Sequence, residues 1–101
     1  MKIKWSLLAL NRVEEIARYI AADKPGAARK WVARIFDQVK IIEDFPKSGR
    51  MVPELERDDV RELLFGQYRI IYRLKNNQIE VLTVRHGKQI LPVKEIWEQL
   101  N

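Results

Sequence analysis

Between Val60 and Gln89, six basic side chains (Arg61, Arg69, Arg73, Lys75, Arg85 and Lys88) meet only two acids, Glu62 and Glu80, leaving a local charge of +4. Arginine is well suited to gripping a phosphate or a carboxylate, because its planar guanidinium donates two parallel hydrogen bonds. In an extended segment side chains alternate between faces. Arg69, Ile71 and Arg73 therefore share one face, and Tyr68, Ile70 and Tyr72 the other. If helices cover one face of the sheet, the Arg69/Arg73 side is expected on the open one. The same arginines would also serve in cross-strand pairs with Glu62 and Glu80 on a solvated surface. His86, the only histidine, ends the segment beside Gly87 and Lys88. An imidazole there can exchange a proton near neutral pH, or be a hydrogen-bonded surface residue. Tyr68 and Tyr72 could stack on bases, but on a half-buried strand they suit core packing better.

The elements that must position these residues follow from periodicity. Lys2 to Trp5 alternates polar and apolar and reads as a short strand. Ser6 can cap a helix in which Leu7, Leu10, Val13, Ile16, Ala17 and Ile20 recur at helical spacing. Asp23-Lys24-Pro25 breaks that pattern, and Pro25 suits the first turn of a second helix with Ala28, Trp31, Val32, Ile35, Val39 and Ile42 as its stripe. The two helices are expected to pair as an antiparallel hairpin, with Tyr19 and Trp31 in the core. Phe45-Pro46 ends the second helix, Lys47 to Arg50 is a turn, and residues 51 to 59, with Pro53 and four acids, read as a surface loop. Val60 to Phe65, Tyr68 to Lys75 and Ile79 to Arg85 are rich in β-branched and aromatic residues. Joined by Gly66-Gln67 and Asn76-Asn77-Gln78, they predict an antiparallel meander. Pro92 opens a last helix with Val93, Ile96, Trp97 and Leu100 on its apolar side. The order β-α-α-β-β-β-α predicts a single α+β domain over residues 1–101, a helical hairpin packed on a small antiparallel sheet.

Composition narrows the chemistry. The 101 residues hold no cysteine and one histidine, which excludes disulfides, thiolate metal sites, a cysteine nucleophile and multi-histidine zinc sites. The acids of residues 54 to 59 lack metal-ligand spacing, so neither a metal nor another cofactor is expected. The apolar run Trp5 to Leu10 is far too short to span a bilayer, and Asn11-Arg12 cut it short of a secretory signal. The chain reads as cytoplasmic. Its net charge of +5 draws it to acidic partners, whether nucleic acid, an acidic protein or anionic lipid.

Five motifs in order (Phe45-Pro46-Lys47-Ser48-Gly49-Arg50, Val52-Pro53-Glu54, Val60-Arg61-Glu62-Leu63, Tyr68-Arg69-Ile70-Ile71-Tyr72-Arg73 and Val84-Arg85-His86-Gly87-Lys88) closely resemble the RelE/ParE superfamily of toxins. These are the toxin halves of type II toxin–antitoxin modules, often labelled plasmid stabilisation proteins. The resemblance covers essentially the whole chain. It implies a small α+β toxin neutralised by a cognate antitoxin with an acidic C-terminal segment. RelE-like members cut mRNA on the ribosome, whereas ParE-like members poison DNA gyrase. By resemblance Arg69 matches a RelE arginine at the scissile phosphate, Arg61 falls near basic strand residues supporting that phosphate, and His86 sits about where some ribonuclease relatives place a histidine as acid. Arg73, Arg85 and Lys88 complete the cations expected to meet nucleic acid or a partner.

The departures favour the ParE side. Where RelE expects an arginine after Gly87-Lys88 this chain has Gln89, and where it expects a tyrosine six residues on it has Glu95. A carboxylate there would repel a phosphate backbone, and losing a charge-assisted transition-state contact commonly costs about 100-fold or more in rate. The sequence thus predicts a ParE-like gyrase inhibitor first and a ribosome-dependent endoribonuclease second. A basic nucleic-acid-binding domain without toxicity is the third reading. The antitoxin is expected to lay a helix on residues 7 to 44 and to set acids against Arg61, Arg69, Arg73 or Arg85.

Overall fold

The computed structural model describes residues 1–100. Strand β1 (Lys2–Trp5) leads into helix α1 (Leu7–Ala21), which turns back as α2 (Pro25–Asp44). Strands β2 (Arg50–Met51), β3 (Val60–Phe65), β4 (Tyr68–Lys75) and β5 (Gln78–His86) follow, and α3 (Val93–Leu100) ends the chain. Ser6 fixes the first junction. Its hydroxyl accepts from the Ala9 amide at 3.0 Å and donates to the Leu82 carbonyl at 3.0 Å, so one side chain caps α1 and docks it on β5. Pro25 occupies the first turn of α2, where its missing N–H costs nothing. Asn76 and Asn77 both have positive φ (50° and 60°), the backbone of the two-residue hairpin turn that matches strand twist.

The sheet runs β1-β5-β4-β3-β2. The meander is antiparallel as expected, but β1 pairs parallel to β5, from Lys2 opposite Gln78 to Trp5 opposite Val81, so the whole sheet is mixed. The α1–α2 hairpin packs on one face, where Val13, Ile35, Val39, Ile70, Val81 and Val84 form a core with Trp31 and Tyr68 at its margin. The strand parity of β4 holds: Tyr68, Ile70 and Tyr72 face the hairpin and Ile71 faces away.

The expectation of helices on one face only fails. Residues 52 to 59 and α3 cover the second face, burying Val52, Leu55, Ile71, Leu82, Ile96 and Leu100 in a second core. The segment predicted as a surface loop thus begins with a short edge strand and contributes two buried side chains, because burying Val52 and Leu55 takes apolar surface out of water while the loop's acids keep their solvent at the rim. Tyr19 is 78% exposed and Trp97 40%, against the core placement their spacing predicted. Trp97 instead lies under the Arg57 guanidinium, 5.3 Å from its ring centre. Leu7 and Leu10 are exposed too.

The Phe45 to Arg50 turn is organised around Tyr72, whose side chain is fully buried. Its hydroxyl donates to the Pro46 carbonyl at 2.8 Å and accepts from the Gly49 amide at 3.0 Å. A Cβ on Gly49 would lie 2.6 Å from both the Glu62 carbonyl oxygen and the Tyr72 hydroxyl, so only glycine lets the turn reach the sheet. Gly49→Ala is expected to lose about 1–3 kcal/mol through the forced backbone shift, read as a lower urea midpoint. A midpoint equal to wild type would mean the turn does not seat on Tyr72.

Candidate functional site

The predicted cations do not form one cluster. Arg69 is only 7% exposed, and each of its three nitrogens already holds a carboxylate oxygen. Nε donates to Glu62 at 2.6 Å, and the two terminal nitrogens grip both oxygens of Glu54 at 2.9 Å each. Glu62, 1% exposed, accepts at its other oxygen from Arg50 Nε at 2.6 Å. Two arginines and two glutamates therefore close a network of zero net charge on the second face. Hydrogen bonds from Arg69 hold the Glu54 carboxyl below its ordinary value against the opposing effect of burial. Those from Glu54, with Glu62 adding, hold the Arg69 guanidinium above its own. The cross-strand pairing with Glu62 is thus realised, and the phosphate-gripping fork already holds a carboxylate.

Arg61 lies on the other side of the sheet. It stands opposite Tyr72, whereas Arg69 stands opposite Leu64. The residues expected to support the same phosphate as Arg69 therefore do not converge with it, because positions 61 and 69 have opposite parity in the β3–β4 register. Arg61 bonds Asp58 at 2.6 Å and the Gly49 carbonyl at 2.9 Å, bracing the turn from below. Arg73, on the Arg69 face, makes a 3.5 Å charge contact through Nε with Asp59, without hydrogen-bond geometry, and donates to the Leu100 carbonyl at 3.2 Å. Glu80, its cross-strand neighbour, is in no ion pair among the described residues. Asp59 belongs first to Arg57, whose hydrogen bonds hold its carboxyl below the ordinary value.

At the far end of β5 the arrangement is more open. A bulge at Leu82–Thr83 resets the parity, so that His86 lies opposite Tyr68 and Arg85 opposite Arg69. The Lys88 amide donates to His86 Nδ1 at 3.1 Å, and Nε2 sits 3.1 Å from the Gln67 side-chain oxygen. With the Lys88 amide donating to Nδ1, Nε2 is the nitrogen left to face the Gln67 oxygen. Both ring nitrogens are thereby engaged locally, through exposed contacts. A groove of about 450 Å³ brings Arg69, His86 and Lys88 together with Glu54. A second, of about 520 Å³, runs between α1 and β5 past Arg85, Tyr68 and His86. A third, of about 520 Å³, follows the α1–α2 hairpin over Ala17, Ala21, Ala28 and Val32.

Two carboxylates have contacts that the sequence did not foretell. Glu54 was one of four acids in a loop, and nothing local marks it as the carboxylate that folds back on Arg69. Glu95, which replaces an expected tyrosine, is a strut: it pairs with Arg12 and ties α3 to α1. Among the described residues no three acidic or imidazole side chains are placed to hold a metal ion, and no helix is long and apolar enough to cross a membrane.

The depressed carboxyls imply acid sensitivity. A carboxyl whose folded value lies below its unfolded value contributes stability above the unfolded value and loses it as pH falls through the folded one. Stability should therefore fall from the ordinary carboxylate range downward. Glu54→Gln should flatten that fall in urea titrations at successive pH. An unchanged slope would show that the Arg69–Glu54 pair carries none of it.

Residues 3–91 match the family described as the ParE toxin of the type II toxin–antitoxin system, parDE. The chain is 41% identical over 93 residues to the candidate toxin Y4kP of Sinorhizobium fredii, covering 90% of this chain and 93% of that protein. Its fold matches a chain of the chromosomal ParDE system from P. aeruginosa with a TM-score of 0.75 at 25% identity, covering 87% of this chain and 97% of the other. It also matches the toxin–antitoxin complex RelBE2 from Mycobacterium tuberculosis, with a TM-score of 0.54 at 17% identity over 84% of this chain and 95% of the other.

Proposed function

We propose that this chain, which belongs to the ParE toxin family of type II toxin–antitoxin systems, inhibits DNA gyrase and is neutralised by an antitoxin laid on its α1–α2 hairpin. The observation that carries the choice of gyrase over mRNA is the sealed guanidinium of Arg69. RNA cleavage needs cationic donors free to meet a phosphorane, together with a base and an acid. Here the Arg69 fork already holds Glu54, Arg61 faces the opposite side of the sheet, and both His86 nitrogens are engaged. Gln89 and Glu95 add no cation or ring. The chain is then a binding protein whose target is an enzyme, working in the bacterial cytoplasm without a cofactor.

Gyrase supercoiling with purified toxin tests the proposal. Expected is loss of supercoiling with rising toxin, and filamentation with a DNA-damage response on induced expression. Full supercoiling at large toxin excess, with translation arrested instead, would overturn it in favour of a ribosome-dependent endoribonuclease. In that event His86→Ala is the informative variant, because His86 sits at a strand end and Arg69 is structural. Harmless expression, with salt-sensitive binding to free nucleic acid, would leave a plain nucleic-acid-binding domain.

A further inference from the structure

Past Val81, β5 has a strand on one side only, and the groove of about 520 Å³ between that edge and α1 contains Arg85 in its wall. Arg12, Arg50, Arg57, Arg61, Arg69 and Arg73 each have a carboxylate partner. Arg85 has none among the described residues, and its Nε is sealed from solvent without a hydrogen bond. A guanidinium partly withdrawn from water with no counter-charge is costly, and an arriving anion relieves that cost. Beside it stands Tyr19, a large ring 78% exposed on the same groove, with Ile16 next to it.

The charges select the anion. Arg12 in the same wall is already matched by Glu15 and Glu95, so Arg85 is the one cation there without a partner. A multiply charged phosphate would meet Glu15 at the rim, whereas a single carboxylate would not exceed what Arg85 can balance. The apolar faces of Tyr19, Ile16 and Tyr68 then suit a large hydrophobic residue next to that acid. The hairpin groove lies on the other flank of α1, at Ala17 and Ala21, so one segment crossing α1 reaches both grooves. Resting on the antitoxin reading above, we propose that this groove takes an aspartate or glutamate of the antitoxin segment. Its carboxylate forks on Arg85, and a neighbouring apolar side chain lies on Tyr19. Of the four arginines expected to meet antitoxin acids, Arg61, Arg69 and Arg73 are already engaged within the chain, which leaves Arg85.

The experiment uses the purified product of the reading frame adjoining the toxin gene as probe, and biolayer interferometry against wild-type, Arg85→Ala, Arg85→Lys and Lys75→Ala toxins. Arg85→Ala is expected to raise Kd about ten- to hundredfold, chiefly through faster dissociation. Arg85→Lys, which keeps the charge and loses the fork, should fall between, and Lys75→Ala, exposed at the other end of β4, should match wild type. If Arg85→Ala melts early, Arg85→Gln replaces it. Replacing the probe's acids by amides one at a time should reproduce the loss at a single position and add nothing to Arg85→Ala. Tight wild-type binding with Arg85→Ala equal to it overturns this assignment and leaves the antitoxin reading standing. No binding by wild type overturns both. Antitoxin affinity kept by Arg85→Ala, with loss of a single-stranded RNA oligonucleotide that wild type holds, identifies the anion as phosphate and overturns it too.

Discussion

Arg69→Ala is expected to destabilise the fold by about 3–5 kcal/mol, the usual cost of breaking a buried ion pair from one side. The loss comes from what is left behind. Glu62 is 1% exposed, and without Arg69 it keeps one charged partner, Arg50, on a single oxygen. Its other oxygen then has no donor, on the sheet face it shares with Val60 and Ile71. Glu54, more exposed, can turn to water and loses less. Domains of this kind hold only about 5–15 kcal/mol in total, so Arg69→Ala stands near the threshold of folding. Arg69→Met combined with Glu62→Leu should recover most of the loss, because it removes the charge along with its partner. Urea denaturation of the single and double variants measures this. A single variant as stable as wild type would mean that Arg69 is kept for a partner and not for the fold. The result also bears on activity assays, since loss of toxicity on changing Arg69 would follow from unfolding alone.

The same network shows where sequence reading succeeds and where it stops. Parity placed Arg69 and Arg73 on one face of β4 and Tyr68, Ile70 and Tyr72 on the other, because alternation along one strand is a local property. The Ser6 cap, Pro25 and the hairpin connection at Asn76-Asn77-Gln78 were legible for the same reason, although Gln78 itself already pairs in β5. What covers the Arg69 face was not. Glu54 reaches Arg69 from fifteen residues away, and Leu100 lies twenty-seven from Arg73. Acidic composition in residues 54 to 59 signals exposure equally well for an acid that stays in water and one that folds back. β1 pairs with β5 across most of the chain, and four alternating residues do not say which strand they join or in which direction. The bulge at Leu82–Thr83 exchanges the sides of Arg85 and His86, and no turn residue announces it. The ion pairs were open from the start as an alternative to a phosphate site, and at Glu62 that alternative is the one realised.

Blocking the hairpin groove should separate neutralisation from toxicity. Ala17 and Ala21 stand one turn apart on α1 and face Ala28 and Val32 of α2 across a groove of about 520 Å³. Small side chains there let a partner's apolar residues come close to both helix backbones, while Arg29 at the rim can meet its acids; Arg18 beside it is already paired with Glu14. An antitoxin segment that is disordered when free must offset its ordering cost with buried apolar contact, so it depends on this floor more than a rigid partner would. Ala21→Trp fills the groove from a half-buried position without removing any core contact. Antitoxin affinity is expected to fall about a hundredfold or more, on the scale of losing a central interface anchor. Folding stability should stay close to wild type, and supercoiling inhibition should survive unless gyrase uses the same helices. The decisive measurement pairs the Kd for antitoxin with a rescue test, in which antitoxin co-expression spares cells making wild-type toxin and fails to spare those making Ala21→Trp. Rescue of both, with equal Kd, would move the antitoxin off the hairpin and onto the sheet.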